Sequence, residues 1–338
     1  MTIENDLTQM LNIKFPMIMA PMFLVSNEEM MKAAMNRGIM GVFPTLNYRK
    51  EDELSTILNH LNEHKLTPPP KTGSFGVNLI VQKTNPFFQK HLKICIDKKV
   101  PFYITSLGNP KEVIEAAHSY GAKVFCDVTN LLHAAKAASV SCDGFIAVGQ
   151  GAGGHAGPHP LSVLIPALKR DFPHIPVIAA GGIANGHGIA SALMAGASGV
   201  SIGTRFIASD EAKVSQAYKD AIVNSGMDDI VMTDRLSGTP SSILNTDYAK
   251  KIGTKQNFIE RYLSNHKATK KYFKMLIQLR GMKKLEQAII PGNYKTLWEA
   301  GQSVELITDI KPCSEIIKTL IQETEAAIQE FEKTIRNS

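Results

Sequence analysis

The chain has 338 residues, 44% of them hydrophobic and 20% charged, the balance of an ordinary soluble globular protein with ample length to bury a core. Its net charge of +6, from 37 Lys and Arg against 31 Asp and Glu, is dispersed. With no basic run interleaved with aromatics, a solvated surface is expected and a nucleic-acid partner is not. Cys95, Cys126, Cys142 and Cys313 lack any C-x-x-C spacing, which argues against a zinc site or a disulfide framework and fits reduced thiols in the cytoplasm. The first residues carry acids where a secretory signal would carry bases. Phe172 to Thr204 has no Asp, Glu, Lys or Arg, yet Pro173, Pro176, its glycines and Asn185 break it, so no membrane span is expected.

Short β-rich runs alternate with helical patterns from the start. The predicted strands are Pro16–Ala20, Gly38–Phe43, Ser74–Leu79, Phe102–Thr105, Lys123–Cys126, Gly144–Val148, Val177–Ala180 and Gly199–Ile202. Their continuous apolar character predicts burial on both faces. Between them lie predicted helices at Asn27–Asn36, Lys50–Glu63, Pro86–Lys98, Pro110–Ser119, Asn130–Ala138, Leu161–Asp171 and Asn185–Ala195. Gly38, Gly121 and Gly196 are placed to end helices, and Ser26, Asn109, Thr129 and Asn185 to begin them. Such α/β alternation closes most naturally as a (β/α)8 barrel. From about Asp210 to Ile310 the pattern turns mostly helical, with Phe258–Lys283 its clearest helix. This predicts a helical lid, 210–310, inserted after the eighth strand of a barrel built from 1–209 and 311–338. A last helix, Ser314–Ile335, is expected to pack back on the barrel. The helical third leaves two arrangements open: it covers the barrel, or it pairs with a second copy in a homodimer.

The chemistry-bearing residues fall at strand ends. The eighth strand and the one before it end in Gly203-Thr204 and Gly181-Gly182, bare positions where backbone N–H groups approach an anion and Thr204 adds a hydroxyl. In a barrel this is where a phosphate sits. Gly149, Gly151 and Gly154 satisfy G-x-G-x-x-G, but Pro158 and Pro160 delay the next helix, so a dinucleotide fold is rejected. What remains is a flexible loop, Gly149–Gly157, that can lie against a flat ligand and carries His155. Its pKa range suits proton transfer; the readings are general base, substrate hydrogen-bond partner, or incidental surface histidine. His159 and His187 lie nearby without carboxylates at ligand spacing, so no metal is expected. Met22, in Ala20-Pro21-Met22, either packs on a planar ring or fills the core. Asn78 ends an apolar strand, where an amide needs a partner such as a ligand. Asp127 ends the fifth strand and either faces the same mouth or caps the following helix.

APM, GVNL, AGGHAG, AAGGI and IGTRF, in that order and on those strand ends, together with the late AGQSVELITDI, resemble the nitronate monooxygenase family. The resemblance implies an FMN-containing TIM barrel with a helical substrate lid. Ala20 and Met22 would line the flavin, Asn78 would bond its ring edge, Gly153 would abut it, and Gly182, Ser201, Gly203 and Thr204 would hold its phosphate. His155 would be the active-site histidine, deprotonating a nitroalkane or orienting a nitronate. Ser237-Gly238-Thr239-Pro240 resembles the family's S/T-G-x-P turn and is equally a plain polar turn. Two positions depart from the pattern: Gly151 stands where many relatives have an acid, and Asp127 where some have a lysine. An ionised Asp127 would oppose an anionic reduced flavin. The activity implied is oxidation of alkyl nitronates by dioxygen to a carbonyl compound and nitrite. The alternatives are an FMN-dependent, NAD(P)H-using enoyl-acyl-carrier-protein reductase, a flavin-free isomerase or lyase of a phosphorylated metabolite, and a non-catalytic binder.

Overall fold

Eight parallel strands close on themselves in a computed structural model that describes residues 3–67, 72–234, 240–255 and 297–336. They are β1 (Met17–Met19), β2 (Met40–Pro44), β3 (Ser74–Ile80), β4 (Phe102–Ser106), β5 (Lys123–Val128), β6 (Gly144–Val148), β8 (Val177–Ala180) and β9 (Gly199–Ile202). A two-residue strand outside the barrel, β7 (Gly154–His155), interrupts the numbering. Each strand pairs with the next, and β9 returns to β1 through Met17 opposite Val200. All eight barrel strands stand where the sequence predicts them, with ends moved by a residue or two.

The apolar runs explain closure. Ile18, Met40, Val42, Phe102, Ile104, Phe125, Ile146 and Ile178 form one buried cluster with Leu7 and Leu11. These strand residues alternate with others, such as Met17, Met19, Phe43 and Tyr103, that pack in the larger cluster toward the helices. Leu7 and Leu11 come from α1 (Asp6–Leu11), a helix the sequence reading did not anticipate. It is held by a reciprocal cap: Thr8 N donates to Asn5 Oδ1 at 3.0 Å and Asn5 N to Thr8 Oγ1 at 2.9 Å.

The outer helices are α2 (Glu28–Asn36), α3 (Glu51–Leu66), α4 (Phe88–Asp97), α5 (Lys111–His118), α6 (Leu131–Ala138), α7 (Leu161–Asp171) and α8 (Gly186–Met194). Asn185 caps α8 as expected, accepting from Gly188 N at 2.9 Å. Two expected caps move by one residue. Asn27 begins α2 and Asn130 begins α6, because each accepts from an N–H two or three residues on. Ser26 is spent instead on the turn after β1, its Oγ accepting from Met22 N at 2.9 Å.

The C-terminal helix, Cys313–Arg336, packs on α8. At Gly186 a Cβ would lie 2.2 Å from backbone atoms of Glu323 and Thr324, and Gly186 N donates to Glu323 Oε2 at 2.9 Å. Gly186→Ala is therefore expected to cost about 1–3 kcal/mol by overpacking, read as a lowered urea midpoint at unchanged slope.

Beyond β9 the helical expectation needs correction. α9 (Thr204–Ile207), α10 (Gln216–Asn224) and α11 (Asp247–Ile252) are helical. Between them, however, β10 (Ile230–Thr233) runs antiparallel to β11 (Ser241–Leu244), which runs antiparallel to β7. Ile230-Val231-Met232-Thr233 is β-branched and too short to carry a helical period, so strand propensity prevails. Phe258–Lys283 and Ser237–Thr239 lie outside the described residues. Arg205, buried just after β9, donates to Asp309 O at 3.0 Å and to the Asp309 carboxylate, tying the late segment to the barrel.

Candidate active site

The C-terminal ends of the strands surround a cavity of about 980 Å³. Ala20, Met22, Asn78, Asp127, Gly153, His155, Gly182, Ser201, Gly203 and Thr204 all line it, although they lie up to 184 positions apart in the sequence. Parallel strands deliver this: the residues that follow them emerge on one rim.

Two of the glycines leave space. An added Cβ on Gly203 would meet Ala20 at 3.6 Å and Met22 at 3.8 Å, and one on Gly182 would meet only Gly151 Cα at 3.8 Å, although Gly182 has φ +74°. The N–H groups of Gly181, Gly182 and Gly203 make no backbone hydrogen bond among the described residues. Thr204 Oγ1 accepts from Gly301 N at 3.1 Å, which leaves its own proton to donate. These are open donors around a bare cradle, the chemistry an oxyanion needs. Gly181 and Gly153 are bare for another reason. A Cβ on Gly181 would strike Ala152 N at 2.6 Å, and one on Gly153 would strike Gly301 N at 2.8 Å.

On the other side a polar chain crosses three strand ends. Asn78 Nδ2 donates to Ser106 Oγ at 2.7 Å and lies 3.3 Å from Ile104 O, while Ser106 Oγ donates to Asp127 Oδ2 at 2.5 Å. Asn78 thus has protein partners for its amide nitrogen. Asp127 does not cap α6; Asn130 does. Burial pushes the Asp127 carboxyl up to about 6, with the Ser106 hydrogen bond pulling the other way, so it is mostly ionised at pH 7.

The glycine loop is more ordered than expected. Ser241 pairs with His155 and Ser242 with Gly154, which makes the histidine a strand residue at the cavity wall. Its imidazole presents surface to the cavity but is surrounded by protein, and this desolvation lowers its pKa below the ordinary value of 6.5. At neutral pH it is an uncharged ring able to accept a proton.

Ser106 and Glu299 are functional candidates the sequence reading missed. Ser106 follows the rule that picked Asn78, a polar residue ending an apolar strand, and was legible on that signal. Glu299 had no such signal. It lines the cavity, and burial pushes its carboxyl up to about 7.

Residues 75–323 match the family model described as nitronate monooxygenase. A Mycobacterium tuberculosis protein, (3aS,4S,5R,7aS)-5-hydroxy-7a-methyl-1-oxo-octahydro-1H-indene-4-carboxyl-CoA dehydrogenase, is 27% identical over 349 residues, covering 95% of this chain and 96% of its own. A Staphylococcus aureus protein described as "Probable nitronate monooxygenase" is 26% identical over 369 residues, covering 96% of this chain and 99% of its own. FabK from Thermotoga maritima superposes with a TM-score of 0.84 at 30% identity, over 98% of this chain and 100% of that one. Nitroalkane oxidase from Streptomyces ansochromogenes, at TM-score 0.79 and 22% identity over 97% of this chain and 100% of that one, shares the fold. The closed barrel and the family match together define an oxidoreductase of the TIM-barrel class. The chain belongs to the nitronate monooxygenase family of flavin-dependent enzymes, which sets aside the flavin-free isomerase and the non-catalytic binder.

Proposed function

We propose that this chain binds FMN and oxidises alkyl nitronates, and nitroalkanes after deprotonation, with dioxygen, giving a carbonyl compound and nitrite. The observation that carries the reading is the division of one cavity between an open anion cradle at Gly182, Gly203 and Thr204 and a neutral imidazole at His155. The cradle fits the FMN phosphate, and Ala20, Met22 and Gly153 line the wall along which its ring would extend. Bound FMN supplies the two-electron redox chemistry. The protein's part is to hold, orient and exclude water. His155 accepts the α-proton of a nitroalkane or hydrogen-bonds the nitronate; Asn78 and Ser106 order the Asp127 end. Residues 1–209 and 311–338 form the barrel and 210–310 the lid, a division supported by β10 and β11 reaching over to β7 beside His155. The reading also takes the enzyme to be cytoplasmic, in keeping with four buried free thiols. Its test is aerobic turnover of propane-2-nitronate, with oxygen uptake and nitrite release expected; no nitrite above the free-FMN background would reject it.

The Asp127 charge has a measurable effect under this reading. Asp127→Asn removes a negative charge beside the reduced cofactor and is expected to raise the flavin midpoint potential by about 30 mV or more, roughly 1.4 kcal/mol for a two-electron couple. Spectroelectrochemical titration at pH 8, where Asp127 is fully ionised, checks it.

A second reading rests on the cavity's reach. It continues past Leu107–Pro110 to His133, Lys136 and Val140 on and after α6, further than a small nitronate requires. A long acyl thioester reduced by NAD(P)H would use that length. Rapid anaerobic reduction by NADPH would favour it.

A further inference from the structure

Glu299 is held from every side except its carboxyl end. Its backbone forms an antiparallel bridge with Ile243, and its carbonyl oxygen accepts from Tyr218 Oη at 2.5 Å. The Tyr218 ring is in turn stacked on Trp298, with centroids 5.1 Å apart. The next two residues, Ala300 and Gly301, press against Gly153, where a Cβ would come within 2.8 Å of Gly301 N. The carboxyl oxygens lie 3.1 and 3.3 Å from the point a Cβ on Gly154 would occupy, so they sit over the residue preceding His155. They line the cavity and make no hydrogen bond or ion pair with a described residue. A rigidly placed carboxyl with no partner among the described residues is costly to bury as an anion, and it is suited to a partner that arrives with the ligand.

We propose that Glu299 is a substrate-holding acid: as the neutral carboxylic acid it donates a hydrogen bond to an oxygen of the nitronate seated beside His155. The inference rests on the nitronate reading of the cavity. Since burial brings the Glu299 carboxyl to about 7, the donor is present at pH 6 and replaced by a repelling carboxylate at pH 8. Among the described residues packed around it, the groups that titrate are His155, already neutral above its lowered pKa, and Tyr218, raised well above 10. Lys219 and Glu305 on adjoining elements are spent elsewhere, on Ser209 O and Met227 N. Asp127, across the cavity, titrates at about 6 and calls for its own control.

The test is the pH dependence of propane-2-nitronate binding to the FMN-loaded enzyme, from the concentration dependence of anaerobic flavin reduction between pH 6 and 9. In the wild type, affinity is expected to fall about tenfold per pH unit above pH 7. Glu299→Gln, a permanent neutral donor, keeps the low-pH affinity and loses the slope; Glu299→Ala binds at least tenfold more weakly at pH 6; Asp127→Asn keeps the slope. A slope that survives in Glu299→Gln overturns the proposal. Infrared difference titration in the Asp127→Asn background reads the acid without turnover: a protonated-carboxyl band at pH 6, lost when Glu299→Gln is added and carried to higher pH by nitrate, an inert planar anion. Absence of that band overturns the proposal whether or not nitronates are substrates. Its presence with no nitronate turnover would instead reject the functional reading alone.

Discussion

Replacing His155 with asparagine is expected to lower kcat/KM for a neutral nitroalkane by about 10²–10⁴-fold, the span over which a positioned general base contributes. Turnover of the preformed nitronate is expected to change by no more than about tenfold, because that substrate has already lost its proton and asparagine still offers a hydrogen bond. The wild-type pH profile follows from the direction of the His155 shift. Desolvation places the folded pKa below 6.5, so the basic, neutral form predominates at and above pH 6.5. Nitroalkane kcat/KM therefore keeps more than half its plateau value at pH 6.5, where an unshifted histidine would keep half, and reaches its midpoint only at a lower pH. Stopped-flow reduction with nitroethane and with its nitronate, in both proteins, separates the roles. An equal loss on both substrates would make His155 an orienting residue and not a base.

The second large effect concerns the anion cradle. Gly203→Ala is expected to weaken FMN binding by about 10²-fold, roughly 2.7 kcal/mol, by keeping phosphate oxygens from one or two backbone donors. The apoprotein should hardly notice. The new methyl meets Ala20 and Met22 at ordinary contact distances of 3.6 and 3.8 Å, and the Gly203 φ of −109° suits an L-residue. Apo unfolding midpoints are expected to agree within about 0.5 kcal/mol. Gly181→Ala would serve poorly as this probe, since its Cβ collides with Ala152 N at 2.6 Å and the variant would test packing. Equilibrium dialysis of FMN with urea unfolding of the apo form resolves binding from stability; full FMN retention would place the phosphate elsewhere.

The barrel was legible because its signal is local. Val177–Ala180 is an uninterrupted apolar run and Gly199–Ile202 is broken only by Ser201; both are followed by bare glycines, and the period change to Gly186–Met194 between them is sharp. The residues on the cavity wall were legible for the same reason: a polar or glycine residue at the end of an apolar strand stands out, as Asn78 and Gly203 do. The cap positions were off by one because Ser26-Asn27 and Thr129-Asn130 each offer two competent caps, and only the chain's path decides between them. What failed to show was long-range. The pairing of Ser241 with His155 joins segments 86 residues apart in the sequence and depends on a four-residue strand that periodicity cannot distinguish from a turn. Glu299 is invisible for a related reason. Its importance comes from a carboxyl set against Gly154, 145 positions away in the sequence, and nothing local in Trp298-Glu299-Ala300 marks it.

The central claim is that one cavity holds FMN by its phosphate and presents a nitronate to it beside His155. The most direct measurement is the anaerobic visible spectrum of the purified FMN-loaded protein, titrated separately with propane-2-nitronate and with NADPH. Bleaching of the oxidised flavin by the nitronate, with NADPH acting far more slowly, is the predicted result. Rapid bleaching by NADPH while the nitronate leaves the flavin oxidised would contradict the account and assign the cavity to a reductase.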